Sequence, residues 1–341
     1  MHKAAINFSV IVASIVCGGL IAEGLSRLLV PLSPGVRNLS LSGDPVSPVG
    51  SHPFRLKAGF TYQQVSNEFD VRTTIDRFGN RVPEPQESPE VLFLGDSFTF
   101  GHGLSDEETF VYIYCSHKQI SCSNLGRSGT GTGSQLNILE HYLETENWQP
   151  REVKLFILAM TGALVPGNDL FDNYFSRRAE LEQDTLNAGV GAGVEFKKTN
   201  ASRVLRLRNA MLGTSNLARF VYFSIGPWVR TRFAPAPDAS VLRDSLQITR
   251  SQLWRLAGLA QRHEFDYRIY VIHPMQDILR GTSGDTLKAL QELTESGRVI
   301  GTAQAFSEDP SSFYYAYDGH FNSRGSRRIA KFLLSEPLEL S

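Results

Sequence analysis

A serine, a histidine and an aspartate in this chain could together form a nucleophile and its base. Ser97 follows a short apolar run, and the pair Asp318 and His320 stands just before the last helical pattern. A serine hydroxyl needs a base within hydrogen-bond reach and a carboxylate that fixes the tautomer of the imidazole. The three residues therefore predict acyl transfer through a serine nucleophile.

Each of these residues also has an ordinary structural explanation. Ser97 could cap the N-terminus of a helix, because serine is common there after a strand. Asp318-Gly319-His320 could be a turn that caps the final helix. A cap alone does not explain a distant Asp-x-His, so we favour the catalytic interpretation.

Three groups of polar residues fall after predicted strands. Residues 95–101 (GDSFTFG) follow the first strand, residues 124–129 (NLGRSG) follow the second, and Gly167-Asn168-Asp169 follows the third after a loop. The carboxyl ends of parallel strands meet at one edge of a sheet, where such folds bind ligands. Backbone N–H groups in these turns can hold an anion. A plain loop turn is the alternative for Asn168 and Asp169.

On these motifs the sequence resembles the SGNH/GDSL hydrolase family. Gly95-Asp96-Ser97 matches the first block of the family, residues 124–129 match the second, Gly167-Asn168-Asp169 matches the third, and Asp318 with His320 matches the last. The four blocks follow the order of the family over about residues 90–334. One residue separates the carboxylate from the histidine here, whereas many members place the carboxylate three residues before it.

The resemblance implies a role for each matched residue. Ser97 would be the nucleophile, His320 the general base and then acid, and Asp318 the group that orients His320. The oxyanion hole would consist of the backbone N–H groups of Ser97 and Gly129 with the side-chain amide of Asn168.

Other classes of site lack their signatures. Lys plus Arg (34) nearly equals Asp plus Glu (35), so no net charge directs the chain to nucleic acid. The glycines of residues 126–133 fit neither a P-loop nor a dinucleotide fingerprint, and we predict no cofactor. Metal-ligand spacings are absent, and we predict no metal. His102, His263 and His273 lack a carboxylate at comparable spacing, which predicts surface or structural roles for them.

The distribution of apolar residues predicts the fold class. Apolar runs such as residues 91–94 and 153–160 alternate with helical patterns. This alternation predicts an α/β fold with a doubly wound parallel sheet in three layers, of the SGNH-hydrolase or flavodoxin-like kind. We assign residues 91–338 to this domain, with a helical insertion at about 175–240, and residues 54–90 to a small β lead-in. Residues 31–53 form a linker rich in Ser, Pro and Gly.

The N-terminal segment is predicted to be a membrane anchor. Residues 4–22 are almost unbroken apolar sequence, which is about one bilayer crossing. A cleaved signal is the alternative, but no small-x-small cleavage site is clear. We therefore predict a retained transmembrane helix within residues 1–30 and a catalytic domain in the periplasm or outside the cell. Cys115 and Cys122 could form a disulfide there or remain two buried thiols.

The predicted function is that of a serine esterase or O-acyltransferase. It would act through an acyl-enzyme on an acylated carbohydrate or lipid. Residues 195–232 are rich in Lys and Arg, which would suit an anionic polysaccharide or lipid head groups, or simply the solvated face of a helical cap. A non-catalytic relative of the same fold that binds glycan or takes part in a secretion complex is the alternative, since fold does not settle function. The presence of nucleophile, base and acid favours the enzyme.

Overall fold

The computed structural model describes most of the chain outside two long gaps and several short ones. The described residues are 2–29, 37–40, 56, 58–66, 68–85, 87–159, 211, 215–221, 239–281, 284–294, 297–316 and 318–336. Most of the predicted helical insertion and the third motif, Gly167-Asn168-Asp169, lie outside the described residues.

The chain divides into two compact units. The first consists of Met1–Arg37, Val65–Glu68 and Val190–Ala236, and the second of Asn38–Gln64, Phe69–Gly189 and Pro237–Ser341. The candidate residues Ser97, Gly129, Asp318 and His320 all belong to the second unit.

The described strands and helices of both units are numbered in chain order. The strands are β1 (Arg37–Ser40), β2 (Thr61–Val65), β3 (Asp70–Thr74), β4 (Val91–Leu94), β5 (Cys122–Asn124), β6 (Glu152–Leu158), β7 (Asp266–Ile272) and β8 (Val299–Gly301). The helices are α1 (His2–Leu29), α2 (Ser97–Phe100), α3 (Phe110–Lys118), α4 (Thr132–Glu144), α5 (Asn216–Phe220), α6 (Ala239–His263), α7 (Met275–Arg280), α8 (Gly284–Leu293) and α9 (Ser323–Ser335). Short 3-10 helices span Asp106–Glu108, Ala303–Phe306 and Pro310–Ser312.

Five strands form a parallel sheet with the order β5-β4-β6-β7-β8. Each neighbouring pair in it is parallel. Strand β4 lies between β5 and β6, so the winding of the chain reverses at β4. Ligands of such sheets bind beyond the carboxyl ends of the strands at this reversal, and that is where Ser97 follows β4.

Helices cover both faces of this sheet, which explains why β4 is buried along its whole length. One apolar cluster lies between the sheet and helices α4, α6 and α8, and the other lies against α3 and α9. The first cluster contains leucines at helical spacing on α4 and α6, namely Leu136, Leu139, Leu143, Leu253, Leu256 and Leu259. The predicted α/β class with a parallel sheet is confirmed.

The predicted β lead-in contains two strands of a small three-stranded sheet with the order β1-β2-β3. Buried and partly buried side chains alternate along β2, as expected for a strand with one covered face. Phe60, Tyr62 and Ile75 from this region pack against Phe100 at the end of α2. The lead-in therefore contacts the segment that carries Ser97.

Cys115 and Cys122 form a disulfide that joins α3 to the first residue of β5. Their Cα atoms are 6.1 Å apart. Of the two possibilities left open by the sequence, the structure contains the disulfide.

In the first unit, the apolar N-terminal segment is helical, as predicted, and forms α1. Near its end, the Glu23 carboxylate accepts hydrogen bonds from the backbone N–H groups of Asn216 and Leu217, at 3.0 Å each, and thus caps α5. Among the described residues, no helix is both long enough and apolar enough to cross a bilayer. The predicted transmembrane anchor is therefore not supported by the structure.

Candidate active site

Ser97 lies at the first position of α2, on a tight turn that follows β4. The Asp96 carboxylate caps this helix by accepting the backbone N–H of Phe98 at 2.9 Å. A Cβ atom on Gly95 would come within 2.1 Å of the Thr99 hydroxyl oxygen, so only glycine fits there. The turn leaves the Ser97 side chain partly exposed at the carboxyl edge of the sheet.

The turn after β5 is joined directly to this nucleophile turn. The Asn124 side chain donates to the carbonyl oxygen of Thr99 at 2.9 Å and accepts the backbone N–H of Gly126 at 3.0 Å. A Cβ atom on Gly126 would lie 2.3 Å from the backbone nitrogen of Phe100. The second motif of the sequence therefore supports the first through its asparagine and its glycine.

Arg81 from the lead-in holds the far end of the nucleophile turn, a role that the sequence did not indicate. Its guanidinium is fully buried and donates to the carbonyl oxygens of Phe100 (2.8 Å), Gly101 and Leu104. The Asp106 carboxylate pairs with it at 3.3 Å. An arginine whose partners are mainly backbone carbonyls leaves no side-chain pattern from which its role could be found.

The structure brings Ser97, His320 and Asp318 into one hydrogen-bonded row. The Ser97 Oγ atom lies 2.6 Å from His320 Nε2, and His320 Nδ1 lies 2.6 Å from Asp318 Oδ1. Because Asp318 accepts the proton on Nδ1, Nε2 is free to accept the hydroxyl proton of Ser97. These distances are those needed for proton transfer from serine to histidine.

A compact turn before α9 carries His320. The backbone N–H of Tyr315 donates to the carbonyl oxygen of His320 at 2.8 Å, and that of Gly319 donates back to Tyr315 at 3.1 Å. Gly319 has φ of +82°, which glycine adopts without strain. The Asn322 side chain then caps α9, and the His320 ring packs on Phe98 with ring centroids 4.7 Å apart.

The environment of Asp318 favours its charged form. Burial raises the pKa of this carboxyl, but the imidazoles of His102 and His320 outweigh burial through hydrogen bonding and charge. The net result is a pKa well below the ordinary value of an aspartic acid. Asp318 therefore stays ionised and can stabilise an imidazolium at His320.

His102 belongs to this site, contrary to the predicted surface or structural role. Its Nε2 atom lies 3.6 Å from Asp318 Oδ2, and its ring centroid is 4.7 Å from that of His320. The two histidines thus approach different oxygens of one carboxylate. Sequence reasoning missed His102 because the carboxylate that it faces is far away along the chain.

His263 and His273, the other two histidines that were considered as a base from the sequence, are not part of the row. His273 follows β7 and is buried, and burial lowers its pKa to about 4, while Asp277 acts in the opposite direction. It is therefore neutral near pH 7. His263 is the last residue of α6.

Gly129 of the predicted oxyanion hole lies between β5 and α4. It has φ of +75°, and no atom lies within 4 Å of the place that a Cβ would occupy. Gly129 thus follows β5, and Ser97 follows the neighbouring strand β4. Asn168 lies outside the described residues. The oxyanion hole stays a prediction from the sequence.

Metal binding can be considered at the same three side chains. Among the described residues, one group has metal-ligand atoms that lie close enough together to hold an ion. It consists of His102, Asp318 and His320, whose ligand atoms all lie within 4.8 Å of one another. The direct 2.6 Å contact between His320 Nδ1 and Asp318 Oδ1 is a hydrogen bond, which leaves no room for an ion between them. We therefore interpret the cluster as a proton-sharing arrangement.

The basic stretch within residues 195–232 lies almost entirely outside the described residues.

Comparisons with known proteins gave matches in structure. No family model and no curated protein matches the chain. A member of the lipolytic protein G-D-S-L family from Veillonella parvula DSM 2008 is 14% identical, covers 73% of this chain and 98% of its own, and has a TM-score of 0.39. The acetyl xylan esterase AlAXEase is 12% identical, with 72% and 98% coverage and a TM-score of 0.38.

A third similar structure is a catalytic mutant of an acetylxylan esterase from Geobacillus stearothermophilus. It is 16% identical, covers 73% of this chain and 94% of its own, and has a TM-score of 0.36. Likenesses of this size do not assign an activity. In structure, the chain is similar to lipolytic proteins of the G-D-S-L family and to acetyl xylan esterases.

Proposed function

We propose that this chain is a serine esterase or O-acyltransferase that works through an acyl-enzyme. The observation that carries the proposal is the row in which Ser97 Oγ, His320 and Asp318 are joined by two contacts of 2.6 Å. A serine that merely caps a helix would not need a histidine on its hydroxyl and a charged carboxylate behind that histidine.

In the first half of the reaction, Ser97 Oγ attacks the acyl carbon of an ester while His320 Nε2 takes the hydroxyl proton. The negative charge that develops on the carbonyl oxygen faces the backbone N–H groups of Ser97 and Gly129 and the Asn168 amide in this proposal. The C–O bond to the alcohol then breaks, and His320 returns its proton to the leaving oxygen. Asp318 stabilises the imidazolium in between.

In the second half, the acceptor decides the product. His320 takes a proton from water or from a sugar hydroxyl, whose oxygen attacks the acyl carbon of the acyl-enzyme. The bond from the acyl carbon to Ser97 Oγ then breaks, and His320 returns the proton to Ser97 Oγ. Water gives hydrolysis, and a hydroxyl acceptor gives acyl transfer. We propose an acylated carbohydrate or lipid as the substrate, with the basic stretch of residues 195–232 as the part that would suit an anionic polymer.

We further propose that the catalytic domain works outside the cytoplasm, held at a membrane by the N-terminal segment. The support is the apolar sequence of residues 4–22 together with the Cys115–Cys122 disulfide, a bond typical of oxidising compartments. Fractionation tests this part: the protein should stay in the membrane pellet after a high-salt wash. A soluble mature chain that begins beyond residue 25 would show that the segment is a cleaved signal.

Labelling with a serine-directed fluorophosphonate tests the enzymatic part. The wild-type chain should be labelled once, at Ser97, and Ser97→Ala should lose the label. Ser116→Ala, at an exposed serine of α3, is the matched control and should be labelled like the wild type. Acetate release from p-nitrophenyl acetate and from acetylated xylan, with and without an acceptor sugar, then separates hydrolysis from transfer.

Equal labelling of the wild type and Ser97→Ala would overturn the assignment of the nucleophile. A wild-type chain that neither accepts the label nor releases acetate, yet binds the polysaccharide, would favour the non-catalytic glycan-binding alternative.

A further inference from the structure

His102 and His320 approach one carboxylate from two sides. Asp318 Oδ1 lies 2.6 Å from His320 Nδ1, and Asp318 Oδ2 lies 3.6 Å from His102 Nε2. The side chains of His102 and Asp318 are only 17% and 15% exposed. The second oxygen of the triad carboxylate thus faces an imidazole and little water.

The position of His102 is fixed by the nucleophile turn itself. Its backbone N–H donates to the carbonyl oxygen of Ser97 at 3.0 Å. Its ring meets the edge of Phe69 with centroids 5.6 Å apart. On the other side, the hydroxyl of Tyr315 donates to the carbonyl oxygen of Gly103 at 2.8 Å, which joins the loop of His102 to the turn that carries the base.

In the part of the chain that the structure describes, the charged groups near His102 come from the elements packed against its loop. Asp318 and His320 face its ring from the turn before α9. Arg81 lies beneath its loop, where it is bonded to backbone carbonyls and paired with Asp106. Tyr315 contributes its hydroxyl to the backbone of the same loop, and Phe69 contributes an uncharged ring.

We infer that His102 is a positioning residue that shares the Asp318 carboxylate with His320 and thereby keeps His320 free to accept the proton of Ser97 in mildly acidic solution. The inference rests on the proposed function, because it concerns the base of that reaction. An imidazole N–H that faces Oδ2 at 3.6 Å attracts part of the negative charge that stabilises an imidazolium at His320. A positive charge on His102 acts in the same direction, because it repels a positive charge on His320.

Whether His102 is neutral or positively charged, its removal should therefore shift the acidic limb of the pH profile in the same direction. The carboxylate is then left wholly to His320, which holds its proton to higher pH. The fraction of enzyme with a free base falls at the acidic end, and the acidic limb of the kcat/KM profile moves to higher pH. A shift of about 0.5 to 1 pH unit is the size expected for one neighbouring charge or donor at this distance.

The test uses His102→Phe, which keeps an aromatic ring against Phe69 but has no nitrogen, and His102→Gln, which keeps a neutral donor. The acidic limb for p-nitrophenyl acetate should move upward in His102→Phe and by a smaller amount in His102→Gln. His117→Gln, at an exposed histidine of α3, is the matched control and should keep the wild-type limb. Circular dichroism and fluorophosphonate labelling at pH 8 establish that each variant is folded and retains its nucleophile.

An acidic limb that stays in place in both folded variants would overturn the inference, even if their maximal rates fell. A purely structural role lowers kcat without moving the limb. Failure of the proposed function itself has a different signature, because the wild-type chain would then show neither labelling nor ester hydrolysis at any pH.

Discussion

The two turns that carry the serine and the histidine are held in different ways. The nucleophile turn, residues 95–101, is tied to distant parts of the chain: Arg81 from the lead-in and Asn124 from the neighbouring strand both bond its backbone carbonyls. The backbone of the base turn, residues 314–322, is closed by its own hydrogen bonds and by a bridge between Tyr314 and Phe321. Two tyrosine hydroxyls tie this turn to distant parts of the chain, because they donate to the carbonyl oxygens of His273 and Gly103.

Each half of the site is therefore vulnerable to a different kind of change. The position of Ser97 depends on buried polar groups that lie far away in sequence, so changes outside the motif can displace it. The backbone around His320 is closed locally, so a change of the His320 side chain should act on chemistry more than on the stability of the domain. Substitutions in and around the two turns can test this contrast.

The largest effect is expected from His320→Ala in the base turn. Loss of the base should lower kcat for p-nitrophenyl acetate by about 10⁴-fold, because the serine hydroxyl can no longer be deprotonated during attack. The partly exposed ring should leave the melting temperature nearly unchanged. His117→Ala is the control, and a loss of the same size there, or a loss below about tenfold for His320→Ala, would contradict the assignment of the base.

Arg81→Met should have the next largest effect, this time on the fold. It removes the buried donor of the carbonyl groups of Phe100, Gly101 and Leu104 and leaves Asp106 without its cation. Removing one partner of a buried ionic network costs about 3 to 5 kcal/mol. Urea unfolding measures the loss, with Arg72→Met at an exposed position of β3 as the control.

If Arg81→Met cost no more than Arg72→Met, the nucleophile turn would not depend on the lead-in. Activity adds a second measurement. In variant protein that is still folded, kcat should fall more than KM rises, because Ser97 is displaced relative to His320.

Two glycine substitutions compare the packing around the two turns, because Gly126 lies against the nucleophile turn and Gly319 lies within the base turn. In Gly126→Ala, the new Cβ would lie 2.3 Å from the backbone nitrogen of Phe100, and we expect a loss of about 2 to 3 kcal/mol in the free energy of unfolding. In Gly319→Ala, nothing lies within 4 Å of the new Cβ, and the φ of +82° alone should cost about 1 kcal/mol. Gly258→Ala in α6 meets no atom either and should stabilise the chain slightly.

Equal losses from Gly126→Ala and Gly319→Ala in urea unfolding would remove the contrast between the turns. A larger loss from Gly319→Ala would reverse it.

The sequence predicts the parts of this site whose signals are local. Ser97 and the pair Asp318 and His320 stand out because a nucleophile, a base and an acid are recognisable by type. Strand β4 stands out as a continuous apolar run and β6 as a largely apolar one. The short edge strand β8 has only three residues, Val299–Gly301, too few for a periodic pattern.

The non-local parts could not be found in this way. The partners of Arg81 are mainly backbone carbonyls, which every residue provides, and His102 meets Asp318 only after the sheet has been assembled. The spacing of residues along the chain carries no information about either contact. These are also the contacts on which the nucleophile turn and the second oxygen of Asp318 depend.

A pH-dependent effect on stability is expected from Asp76, in the turn of the lead-in that precedes Arg81. Its Oδ1 atom accepts the backbone N–H groups of Phe78 and Asn80 at 2.9 and 2.8 Å. Burial nevertheless dominates and raises the pKa of this carboxyl from 3.8 to about 6. The folded state therefore binds a proton more tightly than the unfolded state does.

The sign of the pH dependence follows from that difference. The contribution of Asp76 to stability is fully present below about pH 4 and is lost as the pH rises through about 6, which amounts to about 3 kcal/mol. Asp76→Asn keeps the acceptor oxygen but does not titrate, so its stability relative to the wild type should improve from about pH 4 to pH 7. Thermal unfolding of both proteins across this range measures the difference, with Glu107→Gln, at an exposed carboxylate, as the control. If Asp76→Asn and Glu107→Gln changed with pH in the same way, folding would not raise the pKa of the Asp76 carboxyl.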